Sequence, residues 1–169
     1  MQAGGFSIVI TVLLLILGLS AQQSFSDSSI KSLQLKSIPE KILDTECPLY
    51  ITFQMQIVAG TAMYKTEYLP VKYRLIGDNG YASDWRTFSV PKGQTRTDVF
   101  RRRIDPAAIA QKTDINTNPT IKREGDKAQY SGWSVVELMY QDTYRKVYTK
   151  HSNKAEFYIE CKAFTDIKI

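Results

Sequence analysis

The stretch that decides the fold is Cys47–Ile57, CPLYITFQMQI, in which apolar and polar side chains alternate. A second stretch, Ala155–Cys161 (AEFYIEC), alternates in the same way and ends in the other of the two cysteines. Successive side chains of a strand point to opposite faces, so each cysteine shares a face with apolar neighbours. The two stretches therefore predict β-strands that turn both thiols toward a common core.

The N-terminal residues predict export. Residues 1–21 carry no charged side chain, and Ser7–Leu19 (SIVITVLLLILGL) has the length of the apolar core of a signal peptide. Cleavage after Ala21 would release a periplasmic or secreted chain that begins at Gln22. The alternative is an uncleaved membrane anchor, because Gly4–Ala21 is also long enough to span a bilayer.

Two cysteines in an oxidising compartment favour a disulfide. The inward register of Cys47 and Cys161 predicts that they pair with each other. Such a bridge closes a loop of more than about 100 residues, and the chain-entropy model gives it about 4–5 kcal/mol of stabilisation. The chain has one histidine, His151, which leaves too few ligands for a zinc site. We therefore expect neither a metal nor a cofactor.

The rest of the chain predicts further strands separated by turn signals. Besides the two cysteine-bearing strands, they are expected at Ile30–Ile38, Tyr68–Ile76, Asp84–Val90, Thr95–Ile104 and Trp133–Tyr140, with a short hairpin arm at Tyr144–Tyr148. About seven strands at spacings near ten residues favour an all-β fold, a single antiparallel β-sandwich. The chain thus divides into residues 1–21 (signal peptide), 22–44 (a segment with a short first strand) and 45–169 (the sandwich domain).

Three connections have signals of their own. Asp78-Asn79-Gly80 predicts a tight hairpin turn, because Asn and Gly accept positive φ values. Asp105-Pro106 predicts the cap and first residue of a short helix over Asp105–Lys112. Thr113–Gln129 is polar and without periodicity, which predicts the one long loop of the domain.

A larger set of turn and core residues carries a family resemblance. The set comprises Val71-Lys72-Tyr73-Arg74, Asp78-Asn79-Gly80, Phe88-Ser89-Val90 with Gly93 and Thr95, Gly132-Trp133 leading to Leu138, and Ser152 to Phe157 ending in Cys161. Over about Thr45–Lys162 the chain resembles bacterial exported immunoglobulin-like or fibronectin-type modules. That resemblance implies a seven-stranded sandwich with a disulfide from an early strand to the last one. It implies architecture and transfers no functional residue.

A basic cluster between Arg86 and Arg103 is the first candidate binding site. The whole chain has a net charge of +5, and Arg86, Arg96, Arg101 and Arg103 are the members that could bind a polyanion. In an exported protein an acidic glycan, a lipid headgroup or an acidic protein is the expected partner, and nucleic acid is not. The alternative is a solvated strand face whose charges keep an exposed edge from pairing with other chains.

The second candidate is the aromatic and basic arm that contains Tyr144, Arg145, Lys146 and Tyr148. Tyrosine offers apolar area and a hydroxyl group, which suits a binding surface. The alternative is that tyrosine is simply a favourable strand residue.

Catalysis has weaker support. His151 with Ser134, Ser152 or Asp142 would be needed for a hydrolase, and the chain has no G-x-S-x-G nucleophile motif. The leading hypothesis is a non-enzymatic exported module that binds an envelope or extracellular partner. A membrane-anchored structural or assembly subunit is the second hypothesis, and a small hydrolase is the third.

The mature N-terminus separates the first two hypotheses. We expect intact-mass spectrometry of the protein from its native host to give a chain that begins near Gln22. A mass that retains residues 1–21 would instead support the anchored subunit.

Overall fold

A computed structural model of the chain describes residues 29–61, 67–112, 121–124, 127–141 and 145–162. The predicted signal peptide or anchor lies outside these residues. The elements are β1 (Ile30–Ile38), β2 (Lys41–Thr45), β3 (Leu49–Ala59), β4 (Tyr68–Gly77), β5 (Arg86–Pro91), β6 (Thr95–Ile104), α1 (Pro106–Lys112), β7 (Ile121–Glu124), β8 (Lys127–Gln141), β9 (Val147–His151) and β10 (Ala155–Cys161).

The strands form two facing sheets, which confirms the all-β sandwich. The smaller sheet has the antiparallel order β1-β3-β6. The larger sheet has seven strands and is built around β8, whose 15 residues pair with β10 and β9 on one edge and with β4 and β7 on the other. β2 and β5 lie at its outer edges. The described part of the predicted N-terminal segment thus contributes β1 to the smaller sheet and most of β2 to the larger one.

The core lies between the two sheets and is formed by alternate residues of the strands, as the sequence predicts for β3 and β10. Its largest fully buried side chains include Leu35, Ile51, Phe53, Met55, Ile57, Phe100 and Ile104 from the smaller sheet and Leu75, Val90, Tyr130, Leu138 and Ile159 from the larger. Two edge-to-face ring pairs join the sheets, Phe53 with Phe157 and Tyr73 with Phe100, each at 5.8 Å between centroids. Such pairs add about 0.5–1.5 kcal/mol to the burial of the rings.

The predicted disulfide is confirmed. Cys47 and Cys161 are bonded, with their Cα atoms 5.7 Å apart across 114 positions of sequence. Cys47 leads into β3 of the smaller sheet, and Cys161 ends β10 of the larger one. The bridge therefore ties the two layers together at one end of the sandwich.

The predicted turn and helix are also confirmed. Asn79 and Gly80 have φ values of 54° and 70°, so the turn needs the left-handed backbone that these residues tolerate. The side chain of Asp105 accepts a hydrogen bond from the amide of Ala108 (3.2 Å), which caps the first turn of α1.

The prediction of about seven antiparallel strands was incomplete. The described residues form ten strands, and β2 runs parallel to β10. The predicted loop Thr113–Gln129 contains β7 and the start of β8, which form a hairpin with Ile121 opposite Tyr130. Neither β2 nor β7, the two strands that the sequence did not predict, has a clear alternating pattern. Each is held by hydrogen bonding to a strand that is already part of the larger sheet.

Removing the disulfide tests its contribution to the sandwich. We expect Cys47→Ser combined with Cys161→Ser to lower the free energy of unfolding by about 2–5 kcal/mol, because the unfolded chain gains the entropy of an open loop. Urea denaturation of the double variant against the oxidised protein measures the loss. An unchanged midpoint would show that the bridge is not a structural crosslink.

Candidate functional site

The outward face of the smaller sheet brings together two of the predicted arginines. In β6 the odd-numbered residues point outward, so Arg101 and Arg103 lie on the same side and are both exposed. Arg101 pairs in register with Thr52, and Arg103 pairs with Tyr50, whose side chain is 63% exposed. Lys36 of β1 lies on the same side of the sheet, opposite Gln54. We call Lys36, Tyr50, Arg101 and Arg103 the basic face.

The basic face has no carboxylate among its described outward side chains. The other outward residues of β1, β3 and β6 are Ser32, Gln34, Ile38, Thr52, Gln54, Gln56, Val58, Thr95, Thr97 and Val99. Arg103 reaches Asp105 at the start of α1, at 3.4 Å. Lys36 and Arg101 form no ion pair with any residue that the structure describes. Two solvated cations therefore lie on a face whose other outward side chains are mostly amides and hydroxyls.

The structure does not bring Arg86 and Arg96 to this face. Arg86 forms an ion pair with Asp98 (2.9 Å), donates to the carbonyl of Val99 (2.9 Å) and lies over the ring of Phe100. Arg96 has the same strand parity as Asp98, so it leaves β6 on the side opposite Arg101. Of the four predicted arginines, the structure thus brings only Arg101 and Arg103 to one face.

Asp98 is held as a charged partner for Arg86. Burial by itself would raise the pKa of its carboxyl group, but hydrogen bonds from Tyr73 (2.7 Å) and Arg86 hold that pKa below its usual value. The phenol of Tyr73 has a pKa raised above its ordinary value, first by burial and then by its hydrogen bond to Asp98. Arg86 therefore belongs to a packed edge of the sandwich.

The predicted tyrosine arm is only partly a surface. Tyr144 lies outside the described residues. Arg145 has a φ of 63° and is exposed, as is Lys146, whose ammonium group lies 5.1 Å from the ring of Tyr148. Tyr148 is half-buried and stacks on the buried Tyr140, with 5.5 Å between centroids. Tyr148 therefore fits the alternative interpretation of this arm, in which tyrosine serves as a strand and packing residue.

Sequence reasoning missed a buried ionic centre. Arg102, between the two outward arginines, points into the sandwich and forms an ion pair with Asp78 at 2.7 Å, with side-chain exposures of 3% and 5%. Its guanidinium also donates to the carbonyl oxygens of Trp133 (2.9 Å) and Asp78 (3.2 Å) and to the hydroxyl of Ser134 (3.1 Å). The ring of Tyr81 covers it at 4.5 Å.

Further hydrogen bonds complete the centre at Asp78. The phenol of Tyr130 donates to its carboxylate, and Asn79 donates both to that carboxylate (3.2 Å) and to the phenol oxygen (2.9 Å). Burial, and then the hydrogen bond to Asp78, raise the pKa of Tyr130 well above its ordinary value, so this phenol stays protonated. A depression of about 610 Å³ adjoins the centre beside α1. Arg102 is enclosed, and its guanidinium is engaged by Asp78, Trp133 and Ser134, so the centre holds strands of the two sheets together.

The sequence does contain a signal for this centre. Phe100, Arg102 and Ile104 alternate on the inward side of β6, so an arginine among core residues needs a buried acid. The acid could not be identified from sequence, because Asp78 reads as an ordinary turn residue.

The structure does not assemble the hydrolase candidates. Ser134 is fully buried on the inward side of β8 and accepts its hydrogen bond from Arg102. His151 lies on the outward side of β9, 3.8 Å from Glu137. Ser152 accepts from the amide of Val136 and donates to the carbonyl of Asn153, and Asp142 lies outside the described residues. No cluster of three metal-ligating side chains occurs within the described ranges.

Comparison with known proteins gives distant structural similarity. No protein-family model and no curated protein matches the chain. Among solved structures, a Pseudomonas fluorescens alkylpurine DNA glycosylase, AlkC, bound to DNA with an abasic site analogue is 16% identical, with a TM-score of 0.38 over 78% of this chain and 30% of that one. The chain thus spans less than a third of the glycosylase.

Two smaller proteins are similar over more of their length. The C-terminal domain of wzt is 10% identical, with a TM-score of 0.40 over 83% of this chain and 80% of that one. A putative late embryogenesis abundant protein is 12% identical, with a TM-score of 0.36 over 94% and 86%. Similarity at this level assigns neither a family nor a function. Within the ranges that the structure describes, no helix is both long and apolar enough to cross a membrane.

The ionic centre can be tested by removing one partner. We expect Arg102→Met to lower the free energy of unfolding by about 3–5 kcal/mol, because Asp78 would stay buried without its counter-charge. Arg101→Met, on the same strand but outward, is the matched control and should change it by less than about 1 kcal/mol. Equal urea midpoints for the two variants would contradict the role assigned to Arg102.

Proposed function

We propose that the protein is an exported, non-enzymatic β-sandwich module of the immunoglobulin-like type, which binds an acidic polysaccharide through the basic face. The observation that carries this proposal is the charge of that face, where Lys36 and Arg101 have no ion-pair partner among the described residues and Arg103 has only Asp105, at 3.4 Å. The immunoglobulin-like type is supported by two facing sheets joined by a disulfide between an early position and the last strand. The disulfide also supports a periplasmic or secreted location, because such bonds persist in oxidising compartments.

The larger sheet gives the contrast that makes the basic face distinctive. There Lys127 bonds to both Asp44 and Glu160, and Arg74 bonds to Glu137. Other cations of that sheet lie over aromatic rings, namely Lys41 over Tyr158, Lys72 over Trp85 and Lys154 over Trp133. These cations of the larger sheet thus have a carboxylate or an aromatic ring as a partner within the chain. Lys36 and Arg101 have no such partner among the described residues and lie on one face with Arg103, which favours an anionic partner.

The polar surroundings of the cations favour a polysaccharide over a protein or a lipid surface. Glutamine and threonine side chains surround Arg101 and Arg103 and both donate and accept hydrogen bonds, as sugar hydroxyl groups require. Tyr50 adds one exposed ring against which a sugar can pack. A protein partner would need a cluster of apolar anchors, whereas the exposed Ile38 and Val99 lie on the two outer strands of this sheet, with β3 between them. An open sheet face also suits an extended polymer that repeats its charges.

Binding to heparin, a sulfated polysaccharide, tests the proposal. We expect Arg101→Ser combined with Arg103→Ser to weaken binding about thirtyfold at low salt, since each cation near an anionic surface contributes about 1 kcal/mol. The wild-type affinity should fall steeply as salt rises, because exposed charges are screened. Thermal melting should change by no more than a few degrees, because solvated charges contribute little to stability.

The matched control is Lys72→Ser combined with Lys122→Ser, which removes the same charge from the larger sheet. It should bind heparin like the wild type. Equal losses in the two double variants would show that only net charge matters, and an unchanged affinity of the arginine variant would reject the basic face. Stronger binding to polyglutamate or to phosphatidylglycerol vesicles than to heparin would assign the face to an acidic protein or to a membrane instead.

A further inference from the structure

A second candidate binding site lies on the opposite side of the sandwich. Where β8 pairs with β10, the outward face of the larger sheet contains a groove of about 490 Å³, within the usual size range of small-ligand sites. We call it the outer groove and define it by its outward lining residues Glu40, Lys41, Ser131, Trp133, Glu156 and Tyr158.

The strand register sets the two aromatic rings across the outer groove. Trp133 of β8 lies opposite Glu156, and Ser131 lies opposite Tyr158. Trp133 and Tyr158 are therefore diagonal neighbours, about 7–8 Å apart at their Cα atoms. Both side chains are half-buried, so their rings are anchored in the sheet and still reach solvent. One small ligand can contact both rings.

Within the chain, one face of each ring is contacted by the flexible side chain of a lysine. The ammonium group of Lys154 lies 4.8 Å from the Trp133 ring centroid, and that of Lys41 lies 5.6 Å from the Tyr158 ring centroid. Both lysines are exposed, and their long side chains lie at the sheet surface with few constraints. A ligand can therefore displace these contacts, each worth about 0.5–1 kcal/mol at an exposed site.

The charges of the outer groove select against ionic ligands. Glu40 and Glu156 balance Lys41 and Lys154, so neither sign of ligand charge is favoured. A purely apolar ligand is also unfavourable, because it would bury these polar groups without partners. What fits is an uncharged molecule with an apolar face for the rings and several groups that both donate and accept hydrogen bonds.

The floor of the outer groove is rigid. Gly132, between Ser131 and Trp133, has no room for a side chain, since a Cβ atom there would contact the ring of Phe157 and lie 2.9 Å from Cε1 of Tyr130 and 3.0 Å from the Asp78 carboxylate. The backbone carbonyl of Trp133 is itself held by Arg102. The ionic centre therefore fixes the backbone beneath the outer groove, which limits the ordering that a ligand must impose.

We propose that the outer groove binds an uncharged sugar ring, a pyranose unit of a neutral glycan. The C–H face of the ring packs on Trp133 and Tyr158. Its hydroxyl groups donate to Glu40 and Glu156 and accept from Lys41 and Ser131. The site is separate from the basic face in position, in residues and in the charge of its ligand, so neither proposal depends on the other.

Screening the full-length mature protein against an array of neutral oligosaccharides, including gluco-, manno-, galacto- and chito-hexaoses, tests the proposal. We expect binding to at least one of them, with an affinity that changes less than about twofold between low and high salt, because the ligand is uncharged. Trp133→Ala should weaken that binding at least tenfold. Trp85→Ala, which removes the other tryptophan just before β5 of the same sheet, is the matched control and should bind like the wild type.

A second variant keeps the test decisive if Trp133→Ala alters folding, as its urea midpoint would show. Glu156→Ala removes an exposed hydrogen-bond acceptor and should weaken binding at least fivefold without a change in that midpoint. In the Trp85→Phe protein Trp133 is the sole tryptophan, so its fluorescence should change when the sugar binds. An array without any neutral ligand, or equal losses in Trp85→Ala and Glu156→Ala, would overturn the proposal.

Discussion

The ion pair between Arg102 and Asp78 is the constraint on which the arrangement of the sandwich depends. It joins β6 of the smaller sheet to the turn after β4 and, through the carbonyl of Trp133, to β8 of the larger sheet. Taking two charges out of water costs several kcal/mol for each, and only close geometry with further hydrogen bonds offsets that loss. Tyr130 and Asn79 supply those hydrogen bonds at Asp78. The two sheets therefore pack in the arrangement that brings Arg102 to Asp78 and its hydrogen-bond partners.

The same centre explains why the two proposed surfaces lie on opposite sides of the molecule. Because Arg102 points inward, strand alternation sends Arg101 and Arg103 outward onto the smaller sheet. On the larger sheet, Phe157 occupies the space left by Gly132 and lies 5.7 Å from the Arg102 guanidinium. The backbone under the outer groove is thus held from within. Arg102 therefore affects both surfaces. Its inward direction leaves Arg101 and Arg103 on the basic face, and its hydrogen bond to Trp133 holds the backbone beneath the outer groove.

Particular elements show which features of the fold can be predicted from the local sequence pattern. The inward set of β3, the register of both cysteines, the turn at Asn79 and the cap at Asp105 were all predicted, because each depends on residues within a few positions. The prediction did not include β2 and β7, whose short sequences have no alternation of their own and are strands only beside β10 and β8. A contact that the sequence also does not predict lies at the edge of β1. There the Asn153 side chain donates to the carbonyl and accepts from the amide of Leu35, 118 positions away.

The sequence by itself determined the class of fold and the side of each strand on which a residue lies, since side-chain alternation is a property of one strand. It also determined the disulfide, because the chain has two cysteines and both share a face with the core. Only the tertiary structure decided which residues meet across strands. Asp98 engages Arg86, Asp78 reaches Arg102, and Trp133 comes beside Tyr158 through pairings between distant segments. The physical reason is that these contacts depend on which strands pair and on how the two sheets pack, and both are set by segments far apart in the sequence.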